Sequence, residues 1–213
     1  MTSSPHPATP LTECTLQLSA EAGRVLLAEA RAAMAAQLGQ PAPPAVVATA
    51  AAWLRQPAAT HVTLTLEGKL RGAAGAPPAR QALCEDLRSN ALAAAFHDPR
   101  FKAITSNELD ALRIEVSVLS PLETLQWEDE AGALAQLRPG IDGVMVEYGH
   151  HRNLFLPQMW REFPDTALFV GNLKYKGGLP PDFWDATLTL RRFTAAVWRE
   201  EHDHIQHNEA PHV

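Results

Sequence analysis

Cysteine is scarce in this chain: 213 residues contain Cys14 and Cys84 and no others. One near the start and one in mid-chain do not build a disulfide framework, and no Cys-x-x-Cys pair is present to chelate zinc. Such sparing use of cysteine fits a reducing, cytoplasmic setting. Basic charge is also in short supply. Eighteen Lys and Arg stand against 24 Asp and Glu, a formal net charge of -6. A broad nucleic-acid footprint needs clustered cations to release counterions. Here Arg24, Arg31, Arg71, Arg80, Arg88 and Arg100 are scattered, so we expect no nucleic-acid partner. Long apolar runs are missing as well. The longest, residues 44–54, is Ala-rich and too short for a bilayer. Residues 1–10 carry neither the basic start nor the apolar stretch of a signal peptide. These absences predict a soluble protein with no membrane partner.

What is present is enough for a core. Hydrophobic residues make up 46% of the chain and charged residues 20%, which is a globular composition. Residues 1–13 are rich in Ser, Thr and Pro and read as a mobile arm, residues 14–200 as the folded domain, and residues 201–213 as a polar tail. Within the domain, Ser19 looks like an N-cap. Val25, Leu26, Ala30, Ala33, Met34 and Leu38 then recur at helical spacing until Gly39 and Pro41. Residues 40–60 form an Ala/Pro-rich connection with one short helix around 48–54. Residues 61–67 alternate as a half-buried strand and turn at Glu67-Gly68-Lys69. Residues 80–96 predict a second helix, broken at Asp98-Pro99.

The cleanest strand is 112–119. Leu112, Ile114, Val116 and Val118 share one face, and Arg113, Glu115 and Ser117 the other. Residues 143–148 and 153–156 read as a hairpin around Gly149-His150-His151. A third helix opens at Pro164-Asp165 and stops at Gly177-Gly178, and residues 188–198 read as one last strand. Helices and strands interleave without strict β-α-β spacing. The expected fold class is therefore α+β with a mainly antiparallel sheet.

Few residues stand out chemically. Leu70-Arg71-Gly72-Ala73-Ala74-Gly75 has two glycines three apart after a strand. It lacks the third glycine of a dinucleotide fingerprint and the Lys-Ser/Thr of a phosphate loop. The pair is either a turn or bulge feature or a ligand-facing loop with Arg71 as an anion clamp. Glu115 lies either on a solvated face or partly buried in a groove. In the second case it needs a cation such as Arg71, Arg113 or Lys176. His150 and His151, in a turn, and the tail histidines His202, His204, His207 and His212 make no ligand set for a metal. The five tryptophans read as core or lobe-interface residues rather than a stacking platform. No Ser/His/Asp order is visible, and Cys84 sits among apolar neighbours as a small hydrophobe. No cofactor motif is seen.

Four stretches, taken in order, resemble the AMMECR family, protein A of the AmmeMemoRadiSam system. The first is residues 70–75, similar to that family's Leu-Arg-Gly-Cys-Ile-Gly signature. The second is 94–101 followed by 112–123. The third is 143–149 with 154–160, and the fourth is 175–180 with Arg192-Phe193. The resemblance implies two unequal lobes with a cleft between them, a cytoplasmic setting, and Memo-type and radical-SAM proteins as partners. It brings Glu147 and Gln158 into the candidate set with Arg71, Gly72, Ala73 and Gly75 as ligand-binding residues. Alanines, Ala73 and Ala74, stand where that signature has Cys and Ile. A methyl group neither attacks nor coordinates. The expectation that follows is a non-catalytic binding or accessory protein. The alternative is a cleft enzyme for a small anionic metabolite, with Glu115 as acid or base, Lys176 tuning it and Arg71 holding the anion.

Overall fold

The computed structural model describes residues 20–41 and 52–200. The Ser19 cap, Cys14, the N-terminal arm, residues 42–51 of the Ala/Pro-rich connection and the C-terminal tail lie outside them. Among the described residues fifteen elements form two antiparallel four-stranded sheets and their helices, the α+β class expected.

The first sheet is β1 (Ala59–Leu66), β2 (Lys69–Ala74), β3 (Leu112–Leu119) and β8 (Ala195–Arg199), in the order β2-β1-β3-β8. β1 and β2 are joined by a two-residue turn. Glu67 and Gly68 adopt φ of 51° and 76°, the left-handed pair that matches strand twist in a tight hairpin. Helices α1 (Ala20–Gln37) and α2 (Leu83–Phe96) cover one face. Leu26, Met34, Leu87, Val62, Leu64, Ile114 and Val116 are all within 1% of full burial there, and each buried side chain stabilises by about 1.5–3 kcal/mol. α2 begins at Leu83, three residues later than the pattern predicts, because Leu83 N donates first to Gln56 O at 2.9 Å.

The second sheet is β4 (Glu123–Thr124), β5 (Gly143–Tyr148), β6 (His151–Phe155) and β7 (Thr189–Phe193), in the order β4-β7-β5-β6. The hairpin turn is Gly149-His150, so His151 is a strand residue paired with Tyr148. Helix α5 (Thr166–Lys176) starts at Asp165, whose carboxylate accepts from Leu168 N at 2.9 Å, the usual capping arrangement. Phe169 and Leu173 of α5 pack on Val144, Val146 and Leu190. Trp160 stacks on Phe169 with centroids 3.8 Å apart and donates its indole N–H to Asp142 O. The short helices α3 (Ser106–Leu109) and α4 (Glu130–Leu134) complete the fold. Every tryptophan belongs to, or packs on, one of these two cores.

The stretch 188–198, expected as one strand, is two strands in different sheets. Its partner changes sheet at the same level: β3 ends at Leu119 and β4 begins at Glu123. Ser120 N donates to Thr194 O, and Thr194 N donates to Ser120 Oγ, both at 2.9 Å. The two strands stay bonded through the crossing. Beside it a small cluster of Ala59, Leu119, Leu156 and Phe193 ties both sheets together.

Candidate functional site

The face of the first sheet away from α1 and α2 is polar. Strand alternation puts Thr63, Glu115 and Ser117 on it, because their neighbours Val62, Leu64, Ile114 and Val116 belong to the helix-covered core. Register fixes the neighbours. Thr63 pairs with Ala73 on one side and Glu115 on the other, and Glu115 pairs with Arg199. A continuous row Ala73–Thr63–Glu115–Arg199 results. In the next row His61 pairs with Ser117 and Ser117 with Val197.

The Glu115 carboxylate is held on both oxygens. Gln158 Nε2 donates to Oε1 at 3.0 Å, and Arg199 Nε donates to Oε2. Gln158 arrives on the 3-10 turn Pro157–Arg161 that follows β6, so this contact reaches across from the second sheet's chain. The cation on Glu115 is Arg199 rather than Arg71, Arg113 or Lys176, a correction to the sequence expectation. The reason is sheet order: β8 comes back from the C-terminal end to lie beside β3.

Arg71 is occupied elsewhere. The pairing slips between Leu64 and Thr65, leaving Arg71 as the extra residue of a bulge. Its Nε donates to Glu108 Oε1 at 2.8 Å and its Nη1 to Lys102 O at 2.9 Å. Hydrogen bonding from Arg71 holds the Glu108 carboxyl below its ordinary value, against the opposing effect of burial. Glu108 also closes a capping box with Thr105 at the start of α3. Lys176 is exposed and sits with Nζ 5.2 Å from the Phe155 ring centroid. Glu147 is held by Arg152 Nε at 3.2 Å and by Arg191. Of the candidates, then, the structure joins Glu115 to Gln158 and sets Ala73 in the same row; Arg71, Glu147 and Lys176 each have partners of their own.

The two signature glycines have packing reasons. A Cβ on Gly72 would collide with the Ala94 carbonyl of α2, and one on Gly75 with the Thr60 carbonyl at a φ of 123°. Close approach of backbones requires glycine at both. Ala73, between them, is fastened through its main chain: its N–H donates to Asp98 Oδ2 at 2.9 Å. Asp98 is 3% exposed at its side chain and accepts from Arg100 N, Nε and Nη2. Hydrogen bonding to Arg100 leads in holding this carboxyl far below its ordinary value; burial opposes it, and the Arg100 and Ala73 N–H groups reinforce it. The Asp98-Pro99-Arg100 stretch therefore does more than break a helix. It caps the free edge of β2, which would otherwise offer a template for another strand.

Sequence reasoning missed His61, Thr63, Ser117, Asp98 and Arg199. Alternation marks Thr63 and Ser117 as polar-face residues, but only the β1–β3 pairing makes them neighbours. Ser117 is fully buried, and its Oγ makes no hydrogen bond among the described residues. His61 lies beside it with Nδ1 3.4 Å from Thr63 Oγ1. Burial, aided by the Arg100 charge, lowers the His61 pKa to about 4, so the ring is neutral near pH 7. No group of three or more His, Cys, Asp or Glu able to hold a metal occurs among the described residues. No described helix is long and apolar enough to cross a membrane.

Fold and site together define an α+β protein of two antiparallel sheets, with a polar row on the face of the first that α1 and α2 leave free. The AMMECR1 family model matches residues 27–198, and the chain belongs to the AMMECR1 family. A protein of Methanothermobacter thermautotrophicus is 42% identical over 142 residues, which are 65% of this chain and 74% of that one. Protein MJ0810 of Methanocaldococcus jannaschii is 38% identical over 134 residues, 62% and 67% of the two chains. The crystal structure of the uncharacterized protein PH0010 from Pyrococcus horikoshii superposes with a TM-score of 0.75 at 31% identity. That match covers 84% of this chain and 91% of the other.

Proposed function

We propose that this chain is a cytoplasmic, non-catalytic accessory protein that works with Memo-type and radical-SAM partners. The observation that carries the reading is the row Ala73–Thr63–Glu115–Arg199. Its first member offers only a methyl group, where the resemblance to the family signature calls for a thiol. Its carboxylate is already hydrogen-bonded on both oxygens. Glu115 is engaged by Gln158 and Arg199, and the thiol that would be the strongest nucleophile of the row is replaced by a methyl group, which cannot attack. The row supplies charge and shape for recognition instead.

The test is direct. The purified chain is mixed with purified Memo-type and radical-SAM proteins from the same organism and followed by size-exclusion chromatography with light scattering. Co-elution with at least one of them is expected. Independent elution of all three at about 50 μM, where an interaction of micromolar Kd would be saturated, sinks the proposal.

A further inference from the structure

We propose that a pocket between β8 and the 3-10 turn that follows β6 binds a small organic anion, a carboxylate or phosphate carried on an apolar body. The cavity, of about 460 Å³, lies between the 3-10 turn Pro157–Arg161 and β8. That is within the usual size of a small-molecule site. Pro157, Trp160 and Val197 give it apolar walls, and Gln158, Arg161 and Arg199 its polar groups. None of the residues lining it is acidic.

The charge pattern points to the ligand. Among the described residues Arg161 makes no ion pair and no side-chain hydrogen bond. Arg199 donates to Glu115 through Nε alone among the described residues, and its side chain is 52% exposed, so the two outer nitrogens of its fork have no side-chain or backbone acceptor of their own there. Glu115 offsets one of the two positive charges and the other is left uncompensated. A planar carboxylate or a phosphate can take two parallel N–H bonds from such a guanidinium, with Arg161 supplying the net charge. The apolar walls favour an anion with a hydrophobic body over a bare ion. The anion-holding role that the sequence suggests for Arg71 is thus carried by Arg199 and Arg161, since Arg71 is fixed to Glu108.

This inference does not depend on the partner proteins and is tested on the isolated chain. Benzoate, phenyl phosphate, inorganic phosphate and benzyl alcohol are titrated separately by calorimetry or by NMR shifts, against the wild type, Arg161→Gln and Arg161→Lys. Arg161 is exposed, so both variants should fold, which circular dichroism verifies. Benzoate or phenyl phosphate, or both, should bind the wild type with a Kd below about 10 mM. Arg161→Gln should weaken that binding at least about fivefold, and Arg161→Lys less, because Lys keeps the charge and loses the fork. Binding should also fall as salt rises. Which of the two aromatic anions binds more tightly assigns the headgroup. The proposal is overturned if neither binds, if Arg161→Gln leaves their affinity unchanged, if inorganic phosphate binds as well as phenyl phosphate, or if benzyl alcohol binds as well as benzoate.

Discussion

The two faces of the β2-β1-β3-β8 sheet come from alternate residues of the same strands and differ in polarity and in what covers them. Under α1 and α2 the face is Val62, Leu64, Ile114 and Val116, none more than 1% exposed. On the other side stand His61, Thr63 and Glu115, each only partly covered, with buried Ser117 between. Alternation lets one strand serve two ends: odd positions carry chemistry while even positions carry stability. The difference teaches where substitutions should be costly. Leu64→Ala, which leaves a hole in a closed core, should cost about 3 kcal/mol. Thr63→Ala, one residue away, should cost less than about 1 kcal/mol. Urea denaturation of the two variants measures both, and equal costs would abolish the distinction between the faces.

The next effect lies at the sheet's edge. Asp98 ties the β2 main chain at Ala73 to Arg100. Asp98→Asn keeps an acceptor but replaces the charged carboxylate by a neutral amide facing the Arg100 guanidinium, an expected loss of about 2 kcal/mol at pH 7. The sign with pH follows from the lowered carboxyl. Its contribution is complete above the unfolded-state value near 3.8 and disappears as pH falls below it. Unfolding curves at pH 7 should separate wild type from variant. Toward pH 2 they should converge, and a gap that persists undiminished would show that the charge is not what matters.

His61 acts over a higher pH range. Its pKa is lowered from 6.5 to about 4, so the unfolded chain takes up a proton between those values while the folded chain does not. Stability from this group is complete above about pH 6.5 and is lost on going down toward 4. The slope is at most about 1.4 kcal/mol per pH unit. His61→Leu should flatten that stretch of the stability profile. If the variant keeps the wild-type slope, the ring is solvated and the polar face is more open than its burial indicates.

Legibility followed the same division. β3 matches the alternating stretch 112–119 to the residue, and α5 ends at the glycine pair that announced its stop, because periodicity and caps are local signals. The break at Thr194 was hidden. Residues on both sides of it alternate, and only the bonded crossing with Ser120 shows that the strand changes sheets. The candidate site was half legible for the same reason. Ala73 and Glu115 could be singled out along the chain. The neighbour that neutralises Glu115 lies 84 residues away, and the strand order that brings it close is a tertiary fact without a local mark. Arg71 misled because a bulge turns it toward Glu108, and bulges leave little trace in composition.

The smallest expected energetic effect sharpens the comparison most, since it sets two adjacent residues of β2 against each other. Ala73→Cys places a thiol on the polar face beside Thr63, where Ala73 is only partly covered. One extra sulfur there should change stability by less than about 0.5 kcal/mol. Gly72→Cys, one position earlier, must drive its Cβ into the Ala94 carbonyl, and overpacking of this kind costs about 1–3 kcal/mol. Thiol titration in native buffer adds a readout of direction. The folded Ala73→Cys protein should show one reactive thiol more than the wild type with its Cys14 and Cys84. An extra thiol that stays inert until urea is added would mean that position 73 points into a closed interior, and the row it shares with Thr63 and Glu115 would then not be a surface that any ligand or partner reaches.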